Sequence, residues 1–181
     1  MKLLCYGDSN TFGYDPRDFL GARYCKEDRW VDIVQAKTGW DVINAGQNGR
    51  EIPRRSFELE SAQALASRHK PDLTLIMLGT NDLLQGADPE QICARMDAFL
   101  RNFPFPVMLI APPPLQRGAW VERDSLVEAS HLLGSRFRQL AQMRNIPFAD
   151  AGDWDIPLLF DGVHFSEAGH HAFANRLLDM L

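Results

Sequence analysis

A chain of 181 residues with 45% hydrophobic content is long enough and apolar enough to bury one substantial core, so residues 1–181 read as one domain. The net charge of -5 and the lack of any Lys/Arg run argue against a nucleic-acid footprint and a polybasic membrane anchor, which leaves small molecules as the natural partners. No stretch approaches the ~20 apolar residues of a membrane span, and "MKLLCYGDS" turns polar too early for a signal-peptide core, which points to a cytoplasmic protein.

The first apolar run, "KLLCY", reads as a strand and leads into "GDSN" with Ser9. Four aromatic residues follow, Phe12, Tyr14, Phe19 and Tyr24, which fit either core packing or an aromatic lining for a site. A helix is expected over Trp30 to Lys37. A second strand, "WDVIN", then leads into "NAGQNGRE", and a helix runs from about Arg54 to His69. The third strand, "DLTLIML", leads into "GTND". Beyond it Asp88 and Pro89 open a helix that places Ile92, Met96, Phe99, Leu100 and Phe103 on one face. The fourth strand, "PVMLIA", stops at Pro112 to Pro114. Ser125 and Glu128 stand in capping-box spacing before Leu126, Leu133, Phe137, Leu140 and Ala141. The fifth strand, "IPFAD", is followed by a long loop holding "DGVH", and a last helix starts near Ser166 and buries Phe173, Leu177 and Leu181.

Short, nearly continuous apolar runs alternating with amphipathic segments suit a parallel sheet covered on both faces. The expectation is a doubly wound α/β fold of about five strands. Ligands bind such sheets at the carboxyl ends of the strands, so the five exits share one rim. If the strand order is 2-1-3-4-5, Ser9 is flanked by the turn from Gly46 to Gly49 and by Asn81.

A serine hydroxyl is a poor nucleophile until a base takes its proton. Of five histidines, His164 alone lies in a loop at this rim with a carboxylate, Asp161, three residues before it. That spacing lets Asp161 accept the Nδ1 proton and leaves Nε2 facing the serine. The loop from Ala151 to Phe165 spans up to ~50 Å when extended, so it reaches Ser9 easily. Acyl transfer also needs donors for a developing oxyanion, and three are available: the Ser9 N–H, a glycine N–H in "GQNG", and the Asn81 side chain.

Each piece also has a plainer reading. Asp8 or Ser9 could merely cap a helix, and Asp82 reads as a helix or turn cap. His69 ends a helix, and His131, His170 and His171 lie on helices, so all four read as non-catalytic. Pro112 to Pro114 either stop a strand or, with Leu115 and Trp120, wall a pocket. Cys5, Cys25 and Cys93 show no CxxC spacing, so neither a disulfide framework nor a metal site is expected.

Taken together, "GDSN", the glycine turn, "GTND" and "DGVHF" resemble, in order, the four blocks of the SGNH (GDSL-type) hydrolases, over nearly the whole chain. "DRW" at Asp28 to Trp30, "IMLGTND" and "PPPL" look closest to the bacterial arylesterase and acyltransferase branch. The resemblance implies a flavodoxin-like three-layer α/β/α sandwich and a Ser9–His164–Asp161 triad. It also implies an oxyanion hole from the Ser9 N–H, the Gly49 N–H and the Asn81 side chain. Gly46, directly after the strand, is then expected to supply the positive-φ turn and Gly49 the donor. The commonest first block carries Leu where this chain has Asn10, a departure expected to touch substrate preference more than the triad.

The leading expectation is a cofactor-free serine esterase acting on a small-molecule ester through an acyl-Ser9 intermediate released to water or another alcohol. With no lid-length insertion in the chain, short acyl groups are favoured. A thioesterase or carbohydrate deacetylase would use the same triad. A non-enzymatic flavodoxin-like or receiver-like binding domain is disfavoured because no GxGxxG phosphate cradle is present. A homo-oligomer is left open.

Overall fold

The structure is a computed structural model that describes residues 1–18, 20 and 22–181. Five parallel strands form one sheet: β1 (Lys2–Gly7), β2 (Asp41–Gly46), β3 (Leu73–Met77), β4 (Val107–Ala111) and β5 (Phe148–Asp150). Their order is β2-β1-β3-β4-β5, as expected, so β1 lies between β2 and β3. Among the described residues, seven α-helices accompany them: α1 (Ser9–Phe12), α2 (Trp30–Thr38), α3 (Ser56–His69), α4 (Thr80–Leu84), α5 (Pro89–Arg101), α6 (Asp124–Arg144) and α7 (Glu167–Leu178).

Successive strand residues point to opposite faces, and both faces are buried, which is why the strands read as continuous apolar runs. Leu4 and Tyr6 of β1 join a core with Ala62 of α3, Ile92 and Phe99 of α5, and Leu133 and Phe137 of α6. Leu3 and Cys5 point the other way, into a core with Trp30 and Val34 of α2 and Phe173 and Leu177 of α7. Truncating a fully buried ring such as Phe99 or Phe137 to alanine would cost ~3–5 kcal/mol, because transfer and cavity terms add. Among the described residues, no helix is long and apolar enough to cross a membrane.

Two helix starts follow the local chemistry expected of them. Asp88 Oδ1 accepts from the Gln91 N–H at 2.8 Å with Pro89 in the first turn of α5, and Ser166 Oγ accepts from the Gly169 N–H at 3.0 Å at the start of α7. Two others differ. α3 begins at Ser56 rather than Arg54, because Glu58 Oε2 gathers the N–H groups of both Arg54 and Arg55 at 2.9 Å and holds them outside the helix. The Ser125–Glu128 capping box does not form. Arg123 occupies the cap position in extended conformation, and Asp124, already in the first turn, places its charge at the positive end of the helix dipole. Phe103 and Leu181 lie just beyond their helices, the first buried and the second partly so.

Candidate active site

β1 ends at Gly7, and Asp8 turns the chain by accepting the Asn10 N–H on Oδ1 at 3.0 Å. Ser9 is therefore the first residue of α1, at the carboxyl edge of the sheet and 6% exposed. Its Oγ lies 2.9 Å from Nε2 of His164, 155 residues away in the chain. Asp161 Oδ2 meets His164 Nδ1 at 2.6 Å, while Oδ1 accepts the N–H groups of Val163 and His164 at 2.9 and 3.0 Å. With the Nδ1 proton committed to Asp161, Nε2 is the acceptor and the Ser9 hydroxyl donates to it.

Burial would raise the Asp161 carboxyl, but the ring and backbone hydrogen bonds from His164, the Val163 N–H and the imidazole's charge outweigh it and hold the group below the usual carboxylate range. Asp161 thus stays ionised opposite the imidazole. Asp8 behaves oppositely. Burial pushes it up to about 6, with the Asn10 N–H, His164 and Arg50 only partly offsetting the rise.

Two aromatic rings frame the imidazole edge-on, Tyr14 at 4.9 Å and Trp120 at 5.0 Å between centroids. Trp120 is 53% exposed, so it stands at the mouth. Of the other aromatics near Ser9 in sequence, Tyr24 is buried and donates its hydroxyl to the Phe165 carbonyl at 3.1 Å, which is core packing. Phe12 lies under the Arg23 guanidinium at 4.2 Å, and Phe19 falls outside the described residues. Pro113, Pro114 and Leu115 line a separate cleft of about 550 Å³ with Arg117, His131 and Ile156, and its lining includes neither Ser9 nor His164.

The strand order brings the exits of β2 and β3 to either side of Ser9. Asn81 donates from Nδ2 to the Arg50 carbonyl at 3.1 Å, and a second Nδ2 proton remains for another acceptor. The turn after β2 is fastened to β1 by the Gln47 N–H on the Gly7 carbonyl at 3.1 Å and by Arg50, whose Nη1 donates to the carbonyls of Gly7 and Ala45 and whose guanidinium stacks on Tyr6. The positive φ expected at Gly46 falls on Gly49 instead. Gly49 has φ of +73°, and Gly46 ends β2 in ordinary extended backbone. Gly46 is needed for proximity: a Cβ there would lie 2.1 Å from the Phe12 backbone nitrogen, because α1 packs directly on β2.

Asp82 is not a cap. Fully buried, it accepts the Ile52 N–H on Oδ2 at 3.0 Å and pairs through Oδ1 with Arg95 Nη1 at 2.7 Å, tying the segment beyond the β2 turn to α4 and α5. Asn10 is turned into the protein rather than towards solvent. It is 4% exposed, and its amide is engaged by the backbone of Val163 and Phe165. Of the four other histidines, His69 lies at the end of α3, His131 on α6, and His170 and His171 on α7. Arg50, Asp82 and Asn10 carried no local signal for these contacts, since each partner lies in a different segment. Cys5, Cys25 and Cys93 are unpaired. Among the described residues, no three His, Cys, Asp or Glu side chains converge as a metal-ligand set.

The chain is similar over nearly its whole length to proteins of known type. A carbohydrate acetylesterase from Sinorhizobium meliloti superposes with a TM-score of 0.81 at 28% identity, covering 99% of each chain. The M. smegmatis aryl esterase does so with a TM-score of 0.82 at 26% identity, again over 99% of each. A GDSL lipase of Mycobacterium tuberculosis is 26% identical over 192 residues, covering 97% of this chain and 79% of the relative. Residues 5–172 match the GDSL-like lipase/acylhydrolase family model, and the protein belongs to that family.

Proposed function

We propose that the protein is a serine esterase that removes short acyl groups from small esters, with Ser9 as nucleophile, His164 as general base and acid, and Asp161 as the group that orients and charge-balances the imidazole. The observation that carries this is the relay of 2.9 Å from Ser9 Oγ to His164 Nε2 and 2.6 Å from His164 Nδ1 to Asp161. In the first half-reaction, Ser9 Oγ bonds to the acyl carbon as its proton passes to Nε2. The oxyanion is received by the Ser9 N–H, the Gly49 N–H and the free Nδ2 proton of Asn81. The first of these has no acceptor within its own helix, because it lies in the opening turn. Collapse breaks the carbon–oxygen bond to the leaving alcohol, which takes the proton from Nε2. Water then attacks acyl-Ser9, gives its proton to Nε2, and the released acid leaves Ser9 reprotonated. Another alcohol in place of that water would give acyl transfer.

Likeness to a carbohydrate acetylesterase and to an aryl esterase supports two leaving groups, a sugar and a phenol. The exposed Trp120 and the neighbouring Tyr14 offer ring faces or edges to either. The test is incubation with a fluorophosphonate followed by intact mass and peptide mapping. A single adduct on Ser9, absent from Ser9→Ala, is expected. A chain that acquires no adduct while hydrolysing neither p-nitrophenyl acetate nor an acetylated sugar would instead be a binding domain.

A further inference from the structure

Asn10 follows Ser9 directly and is buried, one of four consecutive buried polar residues from Asp8 to Thr11. Its side chain grips the residues on both sides of His164. Nδ2 donates to the Val163 carbonyl at 3.1 Å, and Oδ1 accepts the Phe165 N–H at 2.9 Å. Its own backbone is held as firmly, with the N–H on Asp8 Oδ1 at 3.0 Å and the carbonyl receiving Trp30 Nε1 at 2.9 Å. A carboxamide suits this position because it presents a neutral donor and a neutral acceptor side by side, the complement of a carbonyl and an N–H two residues apart. Asp would lack the donor, and Leu would lack both groups.

We infer that Asn10 is a positioning residue that splints the Ser9 corner to the His164 loop and so sets the separation of Ser9 Oγ and Nε2. This rests on the esterase reading for its catalytic consequence, though not for its geometric one. His164 sits on a loop that joins Ser9 only across 155 residues of chain, so covalent connectivity does nothing to fix their separation. Asp161 fixes the ring relative to its own loop, through the Val163 and His164 N–H groups and Nδ1. That leaves the loop itself to be placed against α1, and the two Asn10 amide bonds do this at the nearest points on either side of the histidine. Without them, a buried carbonyl and a buried N–H lose their partners, and the loop must move to recover them. Displacements of about 1 Å between reacting groups can cost on the order of 100-fold in rate.

The experiment compares wild type, Asn10→Leu, Asn10→Asp and the control Trp30→Phe, which removes the bond to the Asn10 carbonyl but spares the amide splint. Two readouts are taken: kcat and KM on p-nitrophenyl acetate, and the low-field proton NMR signal of His164 Nδ1, assigned by its loss in His164→Ala. In Asn10→Leu, kcat is expected to fall on the order of 100-fold with KM changed less than about three-fold, because the reacting groups and not substrate affinity are disturbed. The Nδ1 signal should shift or broaden through faster exchange. Asn10→Asp, which keeps volume and the acceptor for Phe165, guards against a leucine variant that fails to fold and should fall between. Trp30→Phe should lower the melting temperature while leaving kcat and the signal near wild type. The inference is overturned if Asn10→Leu and Asn10→Asp leave the Nδ1 signal unaltered, or if their losses in kcat match that of Trp30→Phe at equal loss of stability. A wild-type chain that shows no activity and no Ser9 adduct would sink the esterase reading alone, because the NMR comparison still decides whether Asn10 places His164.

Discussion

Asn81 Nδ2 donates to the Arg50 carbonyl at 3.1 Å, so the asparagine after β3 and the turn after β2 are joined on opposite sides of the Ser9 corner. The bond uses one amide proton and directs the other away from Arg50. Asn81→Ala should therefore both delete a donor and release the turn that carries Gly49, lowering kcat by ~10²–10³ with a smaller effect on KM. Asn81→Asp, which retains shape but brings an acceptor and a charge, should do no better. Steady-state kinetics on p-nitrophenyl acetate check this, and an alanine variant within three-fold of wild type would remove Asn81 from the oxyanion hole.

The glycines at the end of β2 separate a clash from a strained dihedral. At Gly46 a Cβ meets the Phe12 backbone, so Gly46→Ala must push α1 and its Ser9 aside, and both stability and kcat should fall. At Gly49 the space is open, but φ is +73°, so Gly49→Ala should cost ~1–2 kcal/mol of stability and less activity. Gly49→Pro removes the N–H and forbids the dihedral. Thermal melts paired with kcat decide. Equal behaviour of the two alanine variants in both measurements would contradict the distinction.

The proposed relay predicts a tautomer effect. Asp161→Asn keeps the shape that receives the Val163 and His164 N–H groups but removes the charge, and its amide would favour the imidazole tautomer with the proton on Nε2. Turnover should drop by ~10⁴ with a normal circular-dichroism spectrum, and His164→Ala should be at least as damaging. Retention of a tenth of wild-type turnover by either variant would call for another base.

Acyl length is the next discriminator. The mouth at His164 is framed by Tyr14 and Trp120. On the proposed short-acyl reading, which rests on the lack of a lid-length insertion in the sequence, acetyl and butyryl esters of a given phenol should show higher kcat/KM than longer ones. A series of p-nitrophenyl esters from C2 to C12 measures this directly, and a maximum at C12 would refute the short-acyl reading.

Acid stability should report His170, fully buried on α7 against Tyr24 and Phe165. Burial pulls its pKa from 6.5 to about 3, with the neighbouring His171 adding to the depression and Asp28 opposing it. Between those values the unfolded chain binds the extra proton, so acid favours unfolding. The contribution of neutral His170 is complete above pH 6.5 and is lost as pH falls towards 3, at up to ~1.4 kcal/mol per pH unit. Asp8 acts with the opposite sign, because its raised value means the folded chain binds the extra proton between 3.8 and about 6. The informative quantity is therefore the difference between wild type and His170→Gln, in which Asp8 cancels. Urea unfolding at pH 7.5 and pH 5 should show wild type losing more stability than the variant, and parallel losses would rule His170 out as the acid-sensitive group.

What the sequence determined by itself was everything set by local pattern. Continuous apolar runs specified a parallel sheet because both of its faces are covered, and Asp88 with Pro89 and Ser166 announced two helix starts through side chains that bond within one turn. Motif content placed Ser9, Asn81, Asp161 and His164 at strand exits, which a doubly wound sheet gathers on one edge. What only the tertiary structure decided were contacts between segments far apart in the chain. The positive φ belongs to Gly49, Gly46 is required because α1 packs against it, Asp82 ties down Ile52 instead of capping its helix, and Asn10 bonds the backbone on both sides of His164. Such bonds leave no periodicity and no spacing to read, because a buried amide or carboxylate is matched to backbone groups that any residue would supply at those positions.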